Sequence, residues 1–542
     1  MQGPPNWRLA GLVVSLTSIV LAPALLAISV PAAGVPPLTF GLTHNLGAAG
    51  GEPSIQDDGQ GHLYITTPQG TGSTNSQGVL LQRSLDGGLT FQPNQLVGGL
   101  VGGSDSDVLT DVTGKNVFIA DLFAAATNVL HSTDYGMTFP NNTVTGPEDD
   151  REWLTTIGPT VFVTYHDFAL GIPLIFISTD NGATFTPGGN AGQIISPTDL
   201  GFVNSKCNTL VSKPVADAAG NLYVLTNAST PAEYAASGCA LVSPLDTLYM
   251  SVSHDGGHTF TTTLVSDVSA AATGHATSGY FAHSFNQLGI DNGGNLYIDT
   301  TATLDGSNGG IPLQNYLIVS KDHGQTWSKP IATQPSVNGQ VFPSIATGQA
   351  GQVAVGYYQG TKPDHRANGS NFQFVIDQTF NATDPNPTFT RTQLPDLQGT
   401  TAHPDGICTD GIFCGTPASS GGNRNLADFE SMTVDPSGNL EVIIPADSDG
   451  TNTQNWFYKQ TAGPQMPPGP INGSGTGNQT WVSGSRTTAP PQPISAPSRP
   501  PTPATTTAGP VERLLPAVIA AAALVLMLVV VARLAPGRRK PR

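Results

Sequence analysis

An eight-residue pattern, Ser-x-Asp-x-Gly-x-Thr followed by an aromatic residue, occurs five times in this chain of 542 residues. The copies are Ser84-Asp86-Gly88-Thr90-Phe91, Ser132-Asp134-Gly136-Thr138-Phe139, Ser178-Asp180-Gly182-Thr184-Phe185, Ser253-Asp255-Gly257-Thr259-Phe260 and Ser320-Asp322-Gly324-Thr326-Trp327. Their starts are spaced by about 60 residues on average. Self-similarity at such a period means one supersecondary unit repeated, each copy burying its apolar face against the next.

A second pattern supplies the rest of the unit. An Asp, two residues, a Gly and then an apolar run appear as Asp58-Gly61-Leu63-Tyr64, Asp111-Gly114-Val117-Phe118, Asp217-Gly220-Leu222-Tyr223, Asp291-Gly294-Leu296-Tyr297 and Asp435-Gly438-Leu440. Weaker versions sit at Ile157-Gly158-Val161-Phe162 and Gly348-Gly351-Val353-Val355. Short runs of Val, Ile, Tyr and Phe between Gly, Asn, Asp and Pro turns, with no helical periodicity before residue 513, predict an all-β fold. One unit reads strand, Gly turn, strand, variable loop, strand, Asp turn, strand. Four antiparallel strands repeated radially make a β-propeller blade. The units number seven, so the expectation is a six- or seven-bladed propeller with seven favoured. The segment near 38–46 is a spare strand that could complete the last blade.

The eight-residue pattern resembles the Asp box, or BNR repeat, of the sialidase superfamily, also found in other propellers and in bacterial sialidase-like surface proteins. The resemblance spans about 50–460. It implies that the Asp residues are structural, since in those families the box lies on the outer turn between the third and fourth strands, away from the ligand. Their carboxylates accept turn amides, the Gly takes a positive φ, and the aromatic packs between blades.

A ligand site would lie where the innermost strands begin. Counting back from each Gly turn places Glu52, Asp105, Glu152, Lys213, Phe285, Phe342 and Glu430 there, with Asp107, Arg151 and His283 nearby. Known sialidases hold the sugar carboxylate with three arginines, the first in an Arg-Ile-Pro motif ahead of the first box. The matching stretch here is Gly51-Glu52-Pro53-Ser54-Ile55, and no arginine lies between Arg8 and Arg83. Charge-assisted pairing to a carboxylate is what such a site must provide, so the sequence argues against sialidase chemistry. Glu52, Asp105, Asp107, Glu152 and Glu430 remain candidate carboxylates for a glycoside hydrolase, which needs two of them about 5–9.5 Å apart. Arg151, Lys213, His283, Phe285 and Phe342 are candidate binding residues. The expectation is thus a carbohydrate- or protein-binding propeller without sialidase chemistry, with a glycoside hydrolase using the funnel carboxylates, exo-sialidase-like or acting on neutral glycans, and a purely structural surface protein as the alternatives.

No cofactor is indicated, and no Cys or His set has metal-ligand spacing. Ca²⁺ is the cation that clustered funnel acids would take, and Asp447-Ser-Asp449-Gly-Thr-Asn452 resembles half of a Ca²⁺ loop. Cys207, Cys239, Cys408 and Cys414 form an even set in a chain with export features, so disulfides are expected. Three pairings exist, and 207–239 with 408–414 keeps each bridge within one loop.

The ends predict display at a membrane. Residues 1–33 carry one charge, Arg8, and a long apolar run, as in a secretory leader. A spacer rich in Pro, Ser and Thr covers 462–510 and resists folding. Leu514 to Ala532 is a 19-residue stretch without charge, close to the ~20 needed to span a bilayer. The basic tail at 533–542 would stay cytoplasmic, leaving the domain at 35–461 outside. Of 38 acids only Glu512 lies outside 35–461, against 9 of the 21 Lys and Arg. The domain therefore carries 37 acids and 12 bases, a net of −25, which excludes nucleic acid as a partner by long-range repulsion.

Overall fold

The computed structural model describes residue 3 and residues 35–468. The exceptions within that range are 48–49, 69–77, 99–102, 112, 124–125, 148, 168–170, 196–208, 231, 233–244, 283–285, 396, 398–400, 412–413, 416–420 and 451. The leader, the span, the basic tail and the spacer beyond 468 fall outside the described residues. Among the described residues no helix is long and apolar enough to cross a membrane.

Seven antiparallel sheets follow one another along the chain, and each is a blade. The innermost strands are Ser54–Asp57, Gly103–Thr110, Asp149–Ile157, the pair Leu210–Val211 and Val215–Ala216, the pair Tyr280–Phe281 and Gln287–Ile290, Gln340–Thr347, and Ser431–Val434. In blades 1 to 6 the strands then run outward in chain order. Blade 7 differs. Its outermost strand is Thr39–Asn45, which pairs antiparallel with Gln454–Ala462, with Thr43 opposite Tyr458 and Asn45 opposite Trp456. The spare N-terminal strand thus closes the ring.

The apolar core lies mostly between neighbouring blades. One cluster joins Tyr64, Val79 and Leu81 of blade 1 to Val108, Val117, Ile119 and Leu130 of blade 2. Another joins Ile55, Leu63 and Ile65 of blade 1 to Ile443 and Phe457 of blade 7. Alternating side chains on each strand face opposite sheet surfaces, so a blade presents one apolar face to each neighbour.

The Asp boxes build the turns between third and fourth strands. Asp86 Oδ1 accepts from Ser84 Oγ (2.8 Å) and Thr90 N (2.8 Å), and its Oδ2 accepts from Thr90 Oγ1 (2.6 Å). Asp134, Asp180, Asp255 and Asp322 repeat the same three bonds. These bonds draw the Asp180 and Asp255 carboxyls down to about 2. The box glycine also welds blades together. Gly88 has φ +84°, and a Cβ there would meet Phe457 of blade 7 at 2.7 Å. Blade 6 keeps a worn copy in which Asn381 Oδ1 accepts from Thr379 Oγ1 (2.9 Å) and Thr388 N (3.0 Å). The opposite hairpins use the Asp-Gly pattern, as where Asp58 Oδ1 accepts from Gln60 N (2.8 Å) and His62 N (3.0 Å).

Candidate functional site

Boxes and Gly turns share one end of the propeller, so the inner strands begin at the other. Three of them enter through a left-handed kink. Glu52, Arg151 and Phe342 have φ of 57°, 58° and 58°, each two residues ahead of Ser54, Trp153 and Ser344. Holding a non-glycine residue there costs of order 1 kcal/mol or more and persists only where the surroundings enforce it.

At the mouth, Arg424 gathers acids from two directions. Its Nη2 is 3.2 Å from Glu52 Oε1, its Nε is 3.2 Å from Asp428 Oδ1, and Nη2 also donates to Asp428 Oδ2. The Arg424 and Asp428 side chains reach the surface, whereas Glu52 lies beneath them. Burial, then the charges of Asp105 and Asp428, push the Glu52 carboxyl well above the usual range, and Arg424 pulls it back only in part. Asp105 is half-buried beside it. A carboxyl held in its neutral form can donate a hydrogen bond or a proton, which an ordinary carboxylate at neutral pH cannot.

Below the mouth, Asp107 ties four blades together. Its Oδ1 accepts from Ser54 Oγ (2.6 Å) and Lys213 Nζ (2.8 Å), and its Oδ2 accepts from Leu154 N (2.8 Å). Asp107 is fully buried, and Lys213 nearly so. A carboxylate with three such partners is an anchor for the scaffold rather than a group waiting for substrate. Arg151 is also completely buried, with its guanidinium 3.8 Å from the Trp153 ring centre and 3.9 Å from that of Phe429. It donates to the Ser106 carbonyl at 3.3 and 3.4 Å. Glu152, on the innermost strand of blade 3, and Glu430, just ahead of that of blade 7, are buried acids. Phe342 is a core side chain, wholly buried and edge-on to Tyr358 at 6.2 Å, so it presents no surface for binding. His283 and Phe285 lie outside the described residues.

Sequence reasoning missed Arg424, Asp428 and Phe429. They sit in the long connection between blades 6 and 7, just ahead of Glu430, and no repeat marks them. That connection carries the Cys408–Cys414 disulfide. Cys207 and Cys239 lie outside the described residues. The half Ca²⁺ loop is committed elsewhere, since Asp447 pairs with buried His403 and accepts from Asn425 Nδ2 (2.6 Å). Among the described residues no three His, Cys, Asp or Glu side chains are grouped for a metal.

The remaining arginines do not converge with these. Arg391 pairs with Asp377 at 2.9 Å through both Nε and Nη2, Arg366 pairs with Asp364, and Arg83 donates to the Tyr135 carbonyl at 3.1 Å. Among the described residues there is no arginine triad.

The fold and its turns define an Asp-box β-propeller of seven blades. The BNR/Asp-box repeat profile matches residues 318–329, the fifth box. No curated protein matches the chain. Among solved structures, it is similar to a protein of unknown function from Dyadobacter fermentans, with 12% identity, 79% of this chain and 99% of that one covered, and a TM-score of 0.42. It is likewise similar to the NanB sialidase of Streptococcus pneumoniae (11% identity, 78% and 70% covered, TM-score 0.39). A third is the α-L-arabinanase of Penicillium chrysogenum (12% identity, 67% and 99% covered, TM-score 0.36). Similarities of this size say nothing about chemistry.

Proposed function

We propose that this chain is a carbohydrate-binding propeller that takes neutral glycans at the mouth of its funnel and has no sialidase activity. One observation carries the reading: Arg424, whose partly exposed guanidinium lies at the mouth, is held between Glu52 and Asp428. A guanidinium already engaged by two carboxyls offers little to an acidic sugar. Asp105 and Asp428 instead present acceptors of the kind that sugar hydroxyls satisfy. Calorimetric titration with neutral and sialylated oligosaccharides tests it. Binding of neutral glycans that Asp428→Asn weakens at least tenfold supports the reading. Release of sialic acid from a fluorogenic substrate refutes it.

A second reading is a glycoside hydrolase acting on neutral glycans. It is favoured by the raised Glu52 carboxyl beside Asp105 and Asp428, the environment of a general acid. Turnover of aryl glycosides that Glu52→Gln abolishes, with the melting temperature kept, would replace the binding reading with this one. We further propose that the leader, spacer and C-terminal apolar stretch display the domain on the outer face of a membrane. Protease added to intact cells should then remove the domain and leave the basic tail protected.

A further inference from the structure

A row of polar side chains interrupts the apolar seam between blades 1 and 2. Ser106, Asp121 and Asn128 sit on the first three strands of blade 2, Gly103–Thr110, Val117–Phe123 and Ala126–Ser132. Ser106 stands opposite Asp121, and Asp121 opposite Asn128. Opposite residues of antiparallel strands share a sheet face, so the row runs across one face of the blade, near its mouth end. All of it is completely buried. Neither carboxyl oxygen of Asp121 has a hydrogen-bond partner, nor has the Asn128 carboxamide or Ser106 Oγ. Ile119 and Leu130, on the same face, pack on Val79, Leu81 and Val97 of blade 1. A Cβ on Gly98, just past Val97, would meet Asp121 Oδ2 at 2.5 Å. The backbone of blade 1 therefore closes directly over the carboxyl.

Nothing nearby compensates a charge on Asp121. The ionisable groups on the strands packed around it are engaged elsewhere. Asp107 is held by Ser54 and Lys213, and Asp105 lies beside Glu52 at the mouth. Asp57 lies against Glu441, Tyr64 Oη donates to the Gly114 carbonyl, and Arg83 donates to the Tyr135 carbonyl. His131 meets Asn116 Oδ1 at 3.1 Å. None of them acts on Asp121, whose carboxyl burial alone pushes up to about 7. A buried carboxyl without a partner is tolerated in its neutral form, whereas its charged form is costly. When the seam opens, water reaches the group and it ionises as an ordinary Asp does, near ~4. The closed seam thus binds the proton more tightly than the open one. That advantage is full below ~4 and is lost as pH rises through about 7.

We infer that the mouth end of the seam between blades 1 and 2 is a proton-operated joint, held shut in weak acid by Asp121 and loosened toward neutral pH. Its opening frees Gly103–Thr110, the strand that carries Asp105 and Asp107, while the other blades stay closed. The joint is independent of what the mouth binds.

The test is amide hydrogen exchange of the full chain between pH 4 and 8, read by mass spectrometry and corrected for the intrinsic rate at each pH. Val117–Phe123 and Ala126–Ser132 report on the joint. Leu222–Ala228, the buried second strand of blade 4, holds no acid and serves as the reference. Opening of the blade 2 strands relative to the reference should rise by up to about tenfold per pH unit between about 4 and 7, then level off. Asp121→Asn should abolish the rise. Blade 2 strands that keep pace with the reference at every pH overturn the proposal, as does a rise that survives in Asp121→Asn. Should that variant fail to fold, the wild-type comparison with the reference strand still decides.

Discussion

The seam where the ring closes contains a buried acid whose contribution to stability is full in weak acid and lost at alkaline pH. Glu441, on the second strand of blade 7, is fully buried. It accepts from Lys459 Nζ at 2.7 Å. Asp57, at the end of the innermost strand of blade 1, is also fully buried and lies close enough for the two carboxyls to act on each other. Burial first, and Asp435 after it, push Glu441 up to about 7 despite the pull of Lys459. Burial and then Glu441 push Asp57 well above its usual range. A carboxyl raised in the folded state binds its proton more tightly there than in the unfolded chain. Its contribution is therefore complete below the ordinary value near 4.5 and is lost as pH rises through about 7. At 1.36 kcal/mol per pH unit, that interval is worth about 3 kcal/mol. Glu441→Gln keeps the shape and an acceptor for Lys459 while removing the titration. Urea unfolding of both proteins at intervals from pH 4.5 to 8.5 reads the effect. The variant lacks this loss, so its stability relative to the wild type should rise between about pH 4.5 and 7 and be greatest at the alkaline end. Parallel curves across that range would refute the reasoning, because they would show that Glu441 does not change protonation on unfolding.

Other expectations follow from groups described above. Asp107→Ala strands the buried Lys213 ammonium, and breaking a buried pair from one side costs about 3–5 kcal/mol, measurable as a lower urea midpoint with an unchanged slope. His166 and His365 are buried so deeply that both are drawn down to about 4. Each then loses stability as pH falls from about 6.5 toward 4, up to about 3 kcal/mol, and His166→Gln should flatten that acid limb in the same titration. Asp134→Ala removes the three bonds of one box and should cost about 1–2 kcal/mol, with glycan affinity at the opposite end unchanged by calorimetry.

The scaffold was legible because it is written in local chemistry repeated many times. An Asp, a Gly and a hydroxyl at fixed spacing specify a turn without help from distant residues, and Ser84 to Thr90 shows all partners within seven positions. Even the closing strand is legible, since 38–46 is an extra strand beyond the seven units. The site is another matter. Glu52 was legible by position, but its partner Arg424 is 372 residues away in sequence and lies in a connection with no repeat to mark it. Spacing places Asp107 and Phe342 at the funnel, yet in the fold Asp107 is a tie between blades and Phe342 a core side chain. Which inner-strand residue faces the axis depends on a one-residue register shift at each kink, such as that between Val341 and Ser344, and no local pattern announces such a shift.

The pairing of Thr39–Asn45 with Gln454–Ala462 sets a clock on how this chain can fold. The first strand made must wait for the last, and synthesis at ~5–20 residues per second puts roughly 20–80 s between them. Until then both flanks of the seam, the unpaired edge of Gln454–Ala462 and the bare face of blade 1, stay open to pairing with other chains. Local blades can form early while the circle stays incomplete, since contacts so distant in sequence are the slow ones to form. A cut or deletion near residue 40 would therefore leave six complete blades, a seventh of three strands with an open edge, and a chain prone to closing on a neighbour instead of on itself.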